Sequence, residues 1–317
     1  MRWARRARQL GEAQLIRWLA PVVPRLPRRA VLALARLIGA GAYCLAHTDR
    51  RIADANLTIA FGDTLSARDR RRITLASFRH FALLMLDIFW FSRDTLARVQ
   101  AYFRPGDGWR YYRDTAPSIA VTGHIGNWEM LGMGTAVLGY PLTTVAMPLQ
   151  NIYANKVINE IRSDVGMTIV PRTGAVRVLL RAMRNREARV ALLMDQNTPP
   201  HEGGAFEKFF GLEAPISLAI ELLRRHTDAK VIVGWCVPNE QGIYHIHCLP
   251  PFPEDGAVMT PREVTLEVIA RLETAIRQHP EFWLWSYRRW RLIPPDGDPA
   301  KYPFYAHRYR IRKERKR

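Results

Sequence analysis

A chain of 317 residues is long enough for one large α/β domain with a well-buried core, or for two small domains. Forty-seven Lys and Arg against 29 Asp and Glu give a net charge of +18, a balance suited to nucleic acid, anionic lipid or an acidic carrier protein. The three cysteines, Cys44, Cys236 and Cys248, form no C-x-x-C pair, which argues against a disulfide framework or a zinc ribbon and points to a reducing compartment.

Basic charge and apolar content meet in residues 1–50. Arg2, Arg5, Arg6 and Arg8 precede Leu15-Ile16-Arg17-Trp18-Leu19-Ala20, and after Pro21, Pro24 and Pro27 a second apolar stretch runs from Ala30 to Ala46. A spanning helix needs about 20 mostly apolar residues; prolines break the first stretch, and Arg36 interrupts the short second one. The pattern fits a helical anchor lying in the membrane interface, with Trp3 and Trp18 at headgroup level. Core helices of a soluble domain are the alternative. At the other end, seven of the ten residues from Arg308 to Arg317 are basic, enough to bind anionic lipid electrostatically. These features predict an anchor over 1–50, a globular domain over 51–305 and a basic tail over 306–317.

Ser66 with Asp69 predicts the start of a long helix through Phe78, Phe81, Leu84, Leu86 and Ile88. Its aromatic end, Phe89-Trp90-Phe91, suits either lipid contact or core packing. Apolar runs then predict strands over Ser118 to Thr122, Thr143 to Ala146, Thr168 to Val170, Val190 to Met194, Lys230 to Val237 and Tyr244 to Cys248. Helices are predicted to begin near Asn127, Asn151, Gly174 and Pro215. The fold class that follows is α/β, a mixed and largely parallel sheet flanked by helices. Thr260-Pro261-Arg262-Glu263 supplies a cap, a first-turn proline and a capping-box acid for a last amphipathic helix. His245 and His247 share one strand face beside Cys248 but lack further ligands at short spacing, so neither a metal nor a cofactor is expected.

The chemistry is expected where the first strong strand meets its helix. Gly123 permits a sharp turn, Asn127 is a good helix cap, and His124 falls in the loop between them. In open α/β sheets, ligand crevices form at the carboxyl ends of strands. Glu129, in the first helical turn, is positioned to accept from one imidazole nitrogen and leave the other as base. Transfer of an acyl group from a thioester to an alcohol needs such a base, together with cationic or N–H donors for the oxyanion. The H-x-x-x-x-E spacing alone fits a structural histidine about as well.

His124-Ile125-Gly126-Asn127-Trp128-Glu129 resembles the H-x4-D/E signature of the glycerolipid acyltransferases, in the H-x-G-N-W-E form of the lipid A late acyltransferases. Arg51 with Ala55-Asn56-Leu57 and Ala60-Phe61 is similar to that family's N-L-x-x-A-F segment. Met194-Asp195-Gln196 followed by Phe209-Phe210-Gly211 resembles its D-Q and F-F-G segment, and Pro280-Glu281-Phe282-Trp283-Leu284-Trp285 through Trp290 its Trp-Arg ending. Pro148, Asn151 and Arg162 fall where the family has a Pro-Asn stretch and a functional arginine, whereas Met147 and Gln150 depart from the Arg and Asp common there.

The resemblance implies transfer of a fatty acyl chain from acyl carrier protein or acyl-CoA to a glycolipid hydroxyl, at the cytoplasmic face of the inner membrane. It implies His124 as base, Glu129 as its orienting partner and Arg162 as oxyanion or phosphate ligand. Asn127, Trp128, Asn151, Asp195, Gln196, Phe209, Phe210 and Arg288 are its substrate-binding candidates. A different acceptor, such as a phosphatidylinositol mannoside or a lysophospholipid, fits the same motifs. A non-catalytic basic membrane- or nucleic-acid-binding protein is the contrasting alternative. The Trp283 to Arg291 alternation of aromatic and basic residues suits nucleic acid, but no RNA or DNA module accompanies it.

Overall fold

The structure, a computed structural model, describes residues 19–146 and 152–310. The expectations for Trp3, Trp18, Pro148, Asn151 and the end of the basic tail lie outside the described residues. Three helices come first: α1 (Arg28–Leu45), α2 (His47–Phe61) and α3 (Ala67–Trp90). Val31 and Ala35, one turn apart, bury one face of α1 in a core shared with α3. Residues 28–45 are therefore part of the domain's packing. The Ser66 hydroxyl caps α3 by accepting from Asp69 N at 3.1 Å. Although α3 is long and apolar enough to cross a bilayer, most of its apolar window is buried in the fold. Phe89, Trp90 and Phe91 are all core residues.

After α4 (Thr95–Tyr102), β1 (Phe103–Pro105) and α5 (Trp109–Arg113), strands and helices alternate. They run β2 (Ser118–Thr122), α6 (Trp128–Val137), β3 (Thr143–Ala146), α7 (Ile152–Asp164), β4 (Thr168–Pro171), α8 (Ala175–Ala182) and β5 (Arg189–Leu193). A hairpin, β6 (Gly204–Phe209) and β7 (Leu212–Ser217), precedes α9 (Ala219–Arg224), β8 (Lys230–Pro238), β9 (Tyr244–Cys248) and α10 (Pro261–Gln278). Seven strands form one sheet in the order β1-β9-β8-β2-β5-β3-β4, parallel at every pair except β8 with β9. The fold is mixed α/β with a largely parallel sheet flanked by helices.

Each strand's alternation divides the core into two layers. Along β8, Val231, Val233 and Trp235 join one apolar cluster with α10, while Ile232 and Cys236 join the other with α1 and α3. The capping box of α10 forms as the sequence predicts, and Val264, Val268, Leu272 and Ile276 are its buried stripe. One predicted element differs. The chain at Pro215 is strand rather than a helix start, because Ala214 to Ile216 pack into the core as part of β7 and the helix begins at Ala219.

Candidate active site

Strand register brings the site together. β2 and β5 are parallel neighbours with Thr122 opposite Leu193, so the residues two beyond each, His124 and Asp195, emerge level at the carboxyl end of the sheet. Gly123 lets them meet, since a Cβ there would stand 2.9 Å from Asp195 Oδ2. Asp195 Oδ1 lies 2.8 Å from His124 Nδ1, and Oδ2 accepts from the His124 backbone N–H at 2.6 Å and from Trp283 Nε1 at 2.8 Å. This pairing assigns the imidazole proton to Nδ1 and leaves the lone pair on Nε2, which accepts from the Gln196 amide at 3.0 Å. The Trp128 ring packs edge-on against the imidazole with centroids 4.6 Å apart.

Burial would raise the Asp195 pKa. Electrostatic attraction to the His124 ring and the hydrogen bonds from His124 and Trp283 outweigh it, holding the carboxyl below the usual carboxylate range. The loop itself is pinned on both sides. Gly126 takes φ +63°, and a Cβ there would fall 1.9 Å from the Cys236 carbonyl oxygen. Asn127 N donates to that carbonyl at 2.7 Å, Gly126 N to Phe282 O at 3.0 Å, and Leu284 N to His124 O at 3.2 Å.

Glu129 does not take the partner expected for it. Both ring nitrogens of His124 are engaged by Asp195 and Gln196, and the Glu129 carboxylate instead receives a bidentate pair from Arg162 of α7. Arg162 Nε donates to Oε2 at 2.9 Å and Nη2 to Oε1 at 2.6 Å. The pair borders a narrow cleft with apolar walls that include Ile88, Phe91, Met133 and Ile161. A larger cavity of about 760 Å³ lies at the opposite, amino end of the strands, near Pro117 and Lys230, and none of these polar residues lines it. An imidazole held by a carboxylate suits proton removal, and a separate arginine fork bordering a narrow apolar cleft suits contact with an anionic group.

The family model for bacterial lipid A biosynthesis acyltransferases matches residues 6–292. The chain belongs to that family. No curated protein matches it. Its activity class is accordingly acyl transfer in lipid A biosynthesis.

The remaining candidates of this acyltransferase are distributed unevenly. Asn127 is buried and both ends of its amide are engaged: Oδ1 accepts from Met130 N at 2.9 Å, and Nδ2 donates to Tyr244 Oη at 3.1 Å. Phe209 and Phe210 are buried in the core, where Phe209 packs on Trp283 and Trp290 with centroids 5.9 and 6.0 Å apart. They back the site through Trp283 rather than lining the cleft. Arg288 is exposed and contributes its carbonyl to Asn197 Nδ2, whereas the neighbouring Arg289 is buried and donates to Asn197 Oδ1 at 2.7 Å. Trp283, Trp285 and Trp290 are core residues and offer no face to a nucleic-acid base. His247 is half-buried against Trp235, with ring centroids 5.5 Å apart. The Trp283 contact with Asp195 has no short-range sequence signature beyond the aromatic-basic alternation around it.

Proposed function

We propose that this acyltransferase moves a fatty acyl chain from an acyl carrier protein thioester to a hydroxyl of a lipid A precursor at the cytoplasmic face of the inner membrane. His124 Nε2 takes the hydroxyl proton as the oxygen attacks the thioester carbonyl carbon. The tetrahedral oxyanion then collapses, the C–S bond breaks, and the departing thiolate takes the proton back from Nε2. Asp195 keeps the second imidazole proton on Nδ1 and offsets the positive charge the ring acquires. Neither ring nitrogen is paired with a serine or cysteine, which favours direct attack over an acyl-enzyme. Glu129 orients Arg162, whose guanidinium has further N–H groups for an oxyanion or an acceptor phosphate.

The observation that carries this reading is the His124–Asp195 pair, with a lone pair left at Nε2 on the carboxyl edge of the sheet. Membrane placement is supported by the outer surfaces of α1 and α3, where Leu37, Ile38, Leu45, Phe81 and Met85 are exposed. Arg29, Arg36 and Arg79 are exposed on the same helices, and α1 contains no acidic residue. Such a surface is complementary to anionic lipid. The test is purified protein in mixed micelles with acyl carrier protein thioesters and a lipid A precursor, with products read by mass spectrometry. One added acyl chain, abolished by His124→Ala, is expected; an active alanine variant would overturn the assignment.

A further inference from the structure

A buried polar chain reaches the site from the N-terminal helix. Arg28, at the first turn of α1, donates from both Nη atoms to Asp87 of α3, and its Nη2 also reaches Gly242 O at 3.0 Å. The Tyr244 hydroxyl donates to Asp87 Oδ2 and accepts from Asn127 Nδ2 at 3.1 Å. Asn127 in turn caps α6 through Met130 N at 2.9 Å. Arg28, Asp87, Tyr244 and Asn127 are each no more than 6% exposed. The chain ends three residues from His124 and two from Glu129, and Asp87 borders the same cleft as Glu129 and Arg162.

Packing alone gives no reason for these polar groups. Apolar side chains of similar volume often replace a buried ion pair at no loss of stability, whereas a chain of directional hydrogen bonds imposes one geometry. Here each side chain bonds the next, and Arg28 Nε alone among the four residues' side-chain polar atoms is left without a partner. We propose that Asp87 and Tyr244 are positioning residues: through Asn127 they fix the loop carrying His124 and the first turn carrying Glu129, and so tie catalytic geometry to the seating of α1. This rests on the acyl-transfer reading above.

The test is a cycle of Tyr244→Phe and Asn127→Ser in the full chain. Serine is also a good helix cap but is too short to keep the amide link to Tyr244. Tyr244→Phe is expected to lower kcat about tenfold with KM near wild type, and to lower the melting temperature by a few degrees because Asp87 and Asn127 each lose a buried partner. The same loss is expected for Asn127→Ser, and no further loss when the two are combined. Full activity in Tyr244→Phe, or losses that multiply in the double variant, would overturn the proposal. Amide hydrogen exchange gives a readout independent of turnover: Met130 N–H should exchange about tenfold faster in Tyr244→Phe, and unchanged exchange counts against positioning. A wild type that transfers no acyl chain refutes the functional reading, while the exchange result still decides the link.

Discussion

His124 Nδ1 lies 2.8 Å from Asp195 Oδ1, although 71 residues separate the two, while Glu129, five residues from the histidine, is paired with Arg162. The imidazole is therefore oriented from the neighbouring strand and not from its own helix. Two acidic residues divide the contacts, Asp195 holding the imidazole and Glu129 the guanidinium fork.

Asp195→Asn tests the first half of that division. The substitution keeps the shape but removes the charge that favours the Nδ1-protonated tautomer and a protonated ring. Turnover is expected to fall roughly 10²- to 10⁴-fold, the range of a lost general base, with acceptor KM little changed. Steady-state kinetics on the purified variant checks this, and a rate near wild type would mean that the imidazole does not depend on the Asp195 charge.

Arg162→Lys tests the second. An ammonium keeps the charge but cannot make the two parallel bonds that Nε and Nη2 give Glu129. A loss of roughly 10- to 100-fold in kcat/KM is expected from weakened charged hydrogen bonds. Comparing phosphorylated with dephosphorylated acceptor separates the two roles. A rise in KM confined to the phosphorylated acceptor assigns Arg162 to headgroup binding, whereas an equal fall in kcat for both assigns it to the oxyanion.

Much of this was legible in the sequence, for identifiable reasons. The central strands are short apolar runs bounded by turn residues, and Ser118 to Thr122, Thr143 to Ala146 and Tyr244 to Cys248 form as predicted. The β6–β7 hairpin was hidden because its two-residue turn is Phe210-Gly211, with Phe210 at φ +51° where Asn or Asp would have signalled it. The Asp195 partnership was invisible for a different reason. It depends on β2 and β5 being neighbours in register, a tertiary fact, whereas Glu129 was close in sequence and drew the assignment.

The apolar surface of α1 and α3 gives a prediction about lipid. Leu37 and Leu45 are 72% and 82% exposed, so Leu37→Glu with Leu45→Glu should leave the melting temperature unchanged. Binding to vesicles containing anionic lipid is expected to fall at least about tenfold, because each substitution removes an apolar contact and adds a repelled charge. Raising the salt should weaken wild-type binding as well, since exposed charges are screened beyond about 10 Å at 0.1 M. Vesicle sedimentation unchanged by either treatment would place the lipid contact elsewhere.

The last prediction concerns acid stability. His80, within α3, is buried with its ring edge-on to Phe282 at 4.8 Å, and burial pushes its imidazole down to about 4. Between its usual value of 6.5 and that lowered value, the unfolded chain binds a proton that the folded chain does not. Stability is therefore fully present above pH 6.5 and falls as pH drops toward 4, by about 3 kcal/mol from this residue alone. Burial also lowers His247 and His279, which add to the slope with the same sign. The depressed Asp195 carboxyl acts in a lower window: its contribution is present above its ordinary value of 3.8 and is lost as pH falls through the lower folded value. Calorimetric melting from pH 7.5 to 4 should show the upper window in the wild type and a flatter profile in His80→Leu, which removes the buried titrating group. An equal slope in both proteins would mean that His80 is not the residue that must charge on unfolding.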